Sequence, residues 1–199
     1  MGIVYTDIAV SADGFAAGPH QSEQDPMGEI AEGALHAWMV NTPEENQTEI
    51  DAILDSGATV MGRNMFGPVR GEWDRDWRGW WGDEPPYHGP VFVLTHFARE
   101  PIEMAGGTTF HFVTEGIEVA LERARAAAGD RNVSVAGGAS TVNQFLAAGL
   151  LDELRLHVTA SVPGSGERLF EGVPSQRLER VSVRAASLVT HVTYRPVRD

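Results

Sequence analysis

Two short apolar runs in this chain each end on glycine and restart as a helix. The first is Ala58-Thr59-Val60-Met61-Gly62-Arg63-Asn64-Met65-Phe66, and the second is Asn132-Val133-Ser134-Val135-Ala136-Gly137-Gly138-Ala139-Ser140-Thr141. A strand that turns directly into a helix aims the helix's unpaired N–H groups, and its positive end, past the strand's carboxyl terminus. Such a turn receives a phosphate. Glycine also serves any tight strand-to-helix turn, so one copy carries little. Two copies, the first with Arg63 directly after its glycine, point to a diphosphate held from two sides.

The length of 199 residues fits one domain with a substantial core. The absence of cysteine removes disulfides, thiolate nucleophiles and cysteine metal sites. All fifteen basic residues are arginine, so lysine Schiff-base chemistry is absent too. A net charge of −13 opposes binding to nucleic acid or an anionic membrane. It leaves a phosphate-bearing cofactor open, because an arginine fork acts at contact distance. The seven histidines show neither HxxxH nor HExxH spacing, and no metal site is expected. The apolar run Ile3–Val10 follows no basic region and contains Asp7, which marks a strand rather than a secretion signal. A cytoplasmic protein is expected.

Periodicity predicts alternating elements. Ile3–Val10 reads as a central strand, and Ile30–Val40 as a helix with Leu35, Trp38 and Met39 on one side. Thr42-Pro43-Glu44-Glu45 is a strong helix start, and that helix should stop near Gly57. Residues 68–90 have no usable period and hold four of the five tryptophans. Strands are predicted at Val91–Leu94 and Thr108–Val113, a helix at Ile117–Ala128 closed by Gly129, and a short helix at Thr141–Ala148. Residues 153–162 alternate Leu154, Leu156, Val158 with Arg155, His157, Thr159, the pattern of a half-exposed strand. Leu178–Val197, broken near Ala185-Ala186, reads as a hairpin. The fold class is α/β: a single domain over residues 1–199, with one mostly parallel central sheet, an antiparallel C-terminal hairpin and flanking helices.

Four ordered motifs carry a resemblance. Ser11-Ala12-Asp13-Gly14-Phe15-Ala16-Ala17-Gly18 follows the first strand, and Val60-Met61-Gly62-Arg63 ends a later one. Val91-Phe92-Val93-Leu94-Thr95-His96 follows the tryptophans, and Val135-Ala136-Gly137-Gly138-Ala139-Ser140 precedes a helix and Leu151-Asp152-Glu153-Leu154. Together they resemble the dihydrofolate-reductase-like superfamily, in the branch of the riboflavin biosynthesis reductase domain. The resemblance implies a homodimeric, NADPH-dependent oxidoreductase acting on a small nitrogen heterocycle or its ribosyl adduct. Gly62, Arg63, Asn64, Gly137, Gly138, Ala139, Ser140 and Thr141 would contact the cofactor diphosphate. Thr95 and His96 would lie near the adenosine end, with Arg63 or Arg99 pairing a 2′-phosphate. The Asp13-Gly14-Phe15 segment would lie near the nicotinamide and substrate; among the tryptophans, Trp80 and Trp81 are the substrate-facing candidates on their aromatic character.

Each assignment has a plainer alternative. For Arg63 the alternative is a surface arginine pairing a carboxylate, and anion contact is favoured because a cation at a helix start is poorly placed unless an anion binds there. His96 and Asp13 also suit ordinary turns. The tryptophans suit either stacking on a flat heterocycle or anchoring a long loop. Folate reductases carry a carboxylate on the first helix, where this chain aligns Leu35. Glu32 and His36 flank that position, and with Asp13 they are the candidate catalytic residues; Asp7, inside an apolar strand, also needs a partner or a function. The leading expectation is reduction of a phosphoribosylaminopyrimidine. Dihydrofolate reduction, a flavin or deazaflavin cofactor, and nucleotide binding without turnover are the alternatives.

Overall fold

In the computed structural model, which describes residues 2–198, the chain opens with β1 (Val4–Ser11) and the short β2 (Phe15–Ala17), then α1 (Ala37–Val40) and α2 (Pro43–Leu54). The first glycine turn joins β3 (Ala58–Gly62) to the one-turn α3 (Arg63–Phe66). Beyond the tryptophan-rich segment come β4 (Pro90–Leu94), β5 (Ile102–Glu103), β6 (Thr109–Val113) and α4 (Ile117–Ala128). The second glycine turn joins β7 (Val133–Gly137) to α5 (Ala139–Ala147). The chain then forms β8 (Glu153–Thr159), β9 (Glu167–Arg168), β10 (Leu178–Ala185) and β11 (Val189–Pro196).

Nine strands form one sheet in the order β10-β11-β8-β1-β7-β3-β4-β6-β5. From β8 to β6 every pair is parallel, whereas β11, β10 and β5 add antiparallel edges. Period-two alternation sends successive side chains to opposite faces, and both faces are covered. Val60, Phe92, Val113, Val133 and Val135 pack with Ala120, Leu121, Val142 and Phe145 of α4 and α5. Met61, Val91, Val93 and Phe110 pack on the other side with Phe66, Trp73, Trp77 and Trp81. A fully buried Val, Leu or Phe among them contributes about 1.5–3 kcal/mol, and the three tryptophans are half-buried.

The tryptophan-rich segment has neither helix nor strand between residues 67 and 89. Its indoles fasten it: Trp73 Nε1–H donates to Phe97 O at 3.0 Å and Trp77 Nε1–H to Phe66 O at 3.0 Å. Trp81 stacks on Phe110 with ring centres 6.1 Å apart.

Two predicted elements differ. The helix expected over residues 30–40 is reduced to the single turn α1, because Gly33 takes φ +72°, outside helical geometry. Strand 153–162 ends at Thr159 and is not half-exposed: β1 and β11 pair on its two sides, and His157 and Thr159 are buried. The strand is therefore interior, and on that side the sheet's free edge is β10. The small β2–β9 pair and β5 had no signal above turn composition.

Candidate active site

A cleft of about 810 Å³ opens over the carboxyl ends of the parallel strands. Both glycine turns border it through Gly62, Arg63, Asn64 and Met65 on one side and Gly138, Ala139, Ser140 and Thr141 on the other. Thr95 and His96 border it after β4, and Asp7, Ala9 and His157 border it from β1 and β8. His36, Trp38, Trp80 and Trp81 close its flanks. Gly137 is not among the bordering residues.

The second turn suits a diphosphate. Gly137 has φ +127°, which an L side chain rarely adopts, and it is joined to Gly138 by a cis peptide. A Cβ on Gly138 would meet nothing within 4 Å, so the backbone there faces open cleft. Ala139 and Ser140 are the first residues of α5, where N–H groups lack intrahelical acceptors and the helix end is positive. The first turn is pressed against the second: a Cβ on Gly62 would collide with Thr141 Oγ1. The two turns thus form one cradle with anion-accepting backbone, and the residues fit a dinucleotide diphosphate.

The arginines divide by what they already hold. Arg63 is only 9% exposed, and its Nε–H donates to Val69 O at 2.9 Å and its Nη1–H to Thr95 Oγ1 at 3.0 Å. Its Nη2–H donates to Gly71 O, and burial lowers its pKa. Arg99 donates to Trp77 O at 2.6 Å and Asp76 Oδ1 at 2.7 Å. Both serve to tether the tryptophan segment. Arg70, which sequence reasoning passed over inside that segment, borders the cleft and donates from Nη1 to Gly67 O at 2.6 Å.

Of the candidate acids, His36 borders the cleft, and burial together with His157 lowers its pKa. Glu32 is exposed and away from the cleft. Asp13 fastens a loop: Oδ1 accepts Ser11 Oγ–H at 2.6 Å and Oδ2 accepts Gly164 N–H at 2.9 Å. The Ser11 bond leads the effects that lower its pKa. Phe15 is buried beneath Arg168, whose guanidinium lies 4.1 Å from its ring centre, and does not border the cleft. Trp80 and Trp81 do border it. No group of three or more metal-ligating side chains occurs among the described residues, and no helix among them is long and apolar enough to cross a membrane.

Residues 3–192 match the sequence model of the RibD C-terminal domain family. The chain belongs to that family. A protein from Shewanella sp. PV-4 assigned to riboflavin biosynthesis superposes with a TM-score of 0.67 at 24% identity, covering 98% of this chain and 99% of its own. The riboflavin biosynthesis reductase Rib7 of Saccharomyces cerevisiae gives 0.57 at 16% identity, over 99% and 89% of the two chains. The Thermotoga maritima diaminohydroxyphosphoribosylaminopyrimidine deaminase/5-amino-6-(5-phosphoribosylamino)uracil reductase gives 0.60 at 15% identity, over 98% of this chain and 57% of that longer one. No curated protein sequence matches the chain. The fold is therefore that of the riboflavin biosynthesis reductases.

In this RibD C-terminal domain the floor of the cleft holds a charged group that the sequence pattern only half revealed. Asp7 Oδ1 lies 3.2 Å from His157 Nε2, and Oδ2 lies 3.4 Å from Arg155 Nη1. Arg155 also pairs Glu153 at 3.0 Å and caps the Tyr5 ring at 4.1 Å. Beneath them His157 Nδ1 is 2.7 Å from His191 Nδ1, and His191 Nε2 is 2.9 Å from Asn46 Oδ1. Trp38 covers both imidazoles, with ring centres 4.7 and 5.1 Å away. Asp7 stood out as a carboxylate in an apolar strand. His157 and His191 did not, because each occupies a polar slot of an alternating strand that α1 and α2 happen to cover.

Proposed function

We propose that this protein is an NADPH-dependent reductase transferring hydride to the ribosyl carbon of a phosphorylated aminopyrimidine, 5-amino-6-(5-phosphoribosylamino)uracil or a close relative. Family membership supplies the reaction class. The observation that carries the reading is the joint cradle formed by the Gly62 and Gly138 turns beside a cleft that Asp7, His36 and His157 also border. In this reading the backbone of Gly138, Ala139 and Ser140, with the side chains of Asn64, Ser140 and Thr141, binds the diphosphate. Thr95 and His96 border the adenosine end. Arg70 supplies the phosphate-pairing cation, since Arg63 and Arg99 hold the loop that carries it. NADPH bound there supplies the hydride. Trp80 and Trp81 bound the heterocycle's plane and exclude water from it. His36 at the cleft wall, whose pKa is lowered, acts on the substrate as a hydrogen-bonding group. A homodimer in the cytoplasm completes the proposal. The β10 edge, which exposes Val181 and Val183, is the surface available for pairing a second copy.

Titration with NADPH and NADH, followed by tryptophan fluorescence, tests the cofactor. Tighter binding of NADPH, and its oxidation only when the pyrimidine is added, is the expected result. Binding of neither nucleotide, with a flavin bound instead, overturns it.

A further inference from the structure

The hydrogen bonds beneath the cleft fix where one proton must be. Arg184 Nη2 donates to Asn46 Oδ1 at 3.1 Å, and a guanidinium has no acceptor, so the amide oxygen of Asn46 faces it. The amide nitrogen accordingly donates to Thr42 O at 2.7 Å and Trp38 O at 3.1 Å. His191 Nε2, 2.9 Å from the same Oδ1, must therefore carry hydrogen. Burial holds the His191 pKa down at about 4, so its ring is neutral and its Nδ1 is bare. The short Nδ1–Nδ1 contact of 2.7 Å then requires His157 to donate from Nδ1. What remains is His157 Nε2, buried, without an aligned hydrogen bond among the described residues, and 3.2 Å from Asp7 Oδ1. A bare nitrogen against an ionised carboxylate would put two lone-pair atoms in contact with no hydrogen between them. One proton, on Nε2 or on Oδ1, removes that repulsion.

We propose that Asp7 and His157 form a dyad that stores one proton on the floor of the cleft and delivers it to the heteroatom beside the carbon that receives hydride, with His191 and Asn46 as positioning residues that set the dyad's tautomer. The acceptor rests on the reductase reading, whereas the proton's place rests on the hydrogen bonds together with the neutral state of buried His191. The step balances with the groups named. Hydride adds its electron pair to the carbon of a C=O or C=N bond, and the π pair moves onto oxygen or nitrogen. That atom takes the dyad's proton, NADPH leaves as NADP⁺, and the dyad regains a proton from water after product departs. The charged and titratable groups facing the dyad are Arg155, Glu153, Tyr5 and His36 on the cleft side and His191, Glu49 and Arg184 beneath. Arg155 on Oδ2 keeps carboxylate charge on that oxygen and leaves Oδ1 to share the proton.

Two measurements test the dyad, and they fail separately. Nitrogen NMR of the ¹⁵N-histidine-labelled protein at neutral pH should show His191 as the Nε2–H tautomer and His157 protonated at Nδ1; an Nδ1–H tautomer for His191 overturns the proposal. In turnover with 5-amino-6-(5-phosphoribosylamino)uracil, Asp7→Asn and His157→Gln should each lower kcat by about 100-fold or more while the NADPH dissociation constant is unchanged. Wild-type kcat in Asp7→Asn overturns the dyad and leaves the reductase reading intact. If the wild-type protein does not oxidise NADPH with this pyrimidine, the reductase reading fails and the NMR tautomers still decide the proton's place. For the positioning role, His191→Phe removes the acceptor for His157 and should displace the pH profile of kcat. His191→Gln, which offers a carbonyl oxygen instead, should restore it; equal profiles in both variants overturn that role.

Discussion

The guanidinium carbon of Arg63 lies 3.7 Å over the ring centre of Trp73, so the arginine that follows the first glycine turn is locked into the segment it precedes. Its hydrogen bonds to Val69, Gly71 and Thr95 tie that segment to the end of β4. Arg63→Ala leaves the Val69 and Gly71 carbonyls and the Thr95 hydroxyl without this donor and removes the cation–π contact. It should cost about 2–4 kcal/mol of stability, and Arg63→Lys should not restore it, because one ammonium nitrogen cannot span acceptors that the three guanidinium nitrogens reach separately. Where the variant stays folded, NADPH and NADH should weaken by the same factor. A loss confined to NADPH would place Arg63 on the 2′-phosphate instead. Denaturant unfolding and paired nucleotide titrations measure both.

The two glycine turns should respond oppositely to alanine. A methyl on Gly138 meets open cleft, so Gly138→Ala should leave Tm unchanged and raise the NADPH dissociation constant by about tenfold, or about 1.4 kcal/mol. A methyl on Gly62 meets Thr141 Oγ1, so Gly62→Ala should cost about 1–3 kcal/mol, a fall in Tm of roughly 2–4 °C per kcal/mol at this chain length. Unchanged nucleotide binding by Gly138→Ala would remove the diphosphate from α5.

The parallel sheet was legible because its strands announce themselves: Ile3–Val10, Ala58–Gly62 and Asn132–Gly137 are mostly apolar runs, and helix 117–128 carries both its periodicity and its closing glycine. The two glycine turns were legible for the same reason, as glycine at a strand end has a local backbone cause. The proton-bearing floor was not. His157 and His191 lie 34 residues apart and meet only because β11 pairs with β8, a long-range fact that no local period encodes. Arg63 has a tie of the same long-range kind, to Thr95. Its position after Gly62 suggests an anion, whereas its partners Val69 and Gly71 lie in a segment without any pattern to foretell their approach.

Tryptophans divide between cleft and scaffold. Trp80 and Trp81 border the cleft, while Trp77 donates to Phe66 O and packs against Gly67. Replacing Trp80 and Trp81 by Phe should remove most of the fluorescence quenching caused by NADPH without abolishing its binding. Trp77→Phe should preserve the quenching and cost about 1–3 kcal/mol by orphaning the Phe66 carbonyl. Full quenching in the double variant would move the fluorescence reporter elsewhere.

Acid stability should report the buried imidazole of His191. Burial pushes its pKa from the ordinary 6.5 down to about 4; Glu49 opposes that shift, His157 and Arg184 add to it, and Asp7 opposes it. Between those two values the unfolded chain binds a proton that the folded chain refuses. Stability from this group is therefore complete above about pH 6.5 and is lost as pH falls towards 4. The slope is at most about 1.4 kcal/mol per pH unit for one histidine. His36 and His111, also lowered chiefly by burial, act in the same direction. The carboxylates held low by hydrogen bonds, Asp13, Glu45 and Glu115, lose their contributions only at more acid pH, below their ordinary values of 3.8, 4.5 and 4.5. Urea unfolding across this window should thus give a falling free energy in the wild-type protein and a shallower fall in His191→Gln. Parallel curves would mean that His191 accepts a proton in the folded state, and with it that His157 need not be the donor in their shared hydrogen bond.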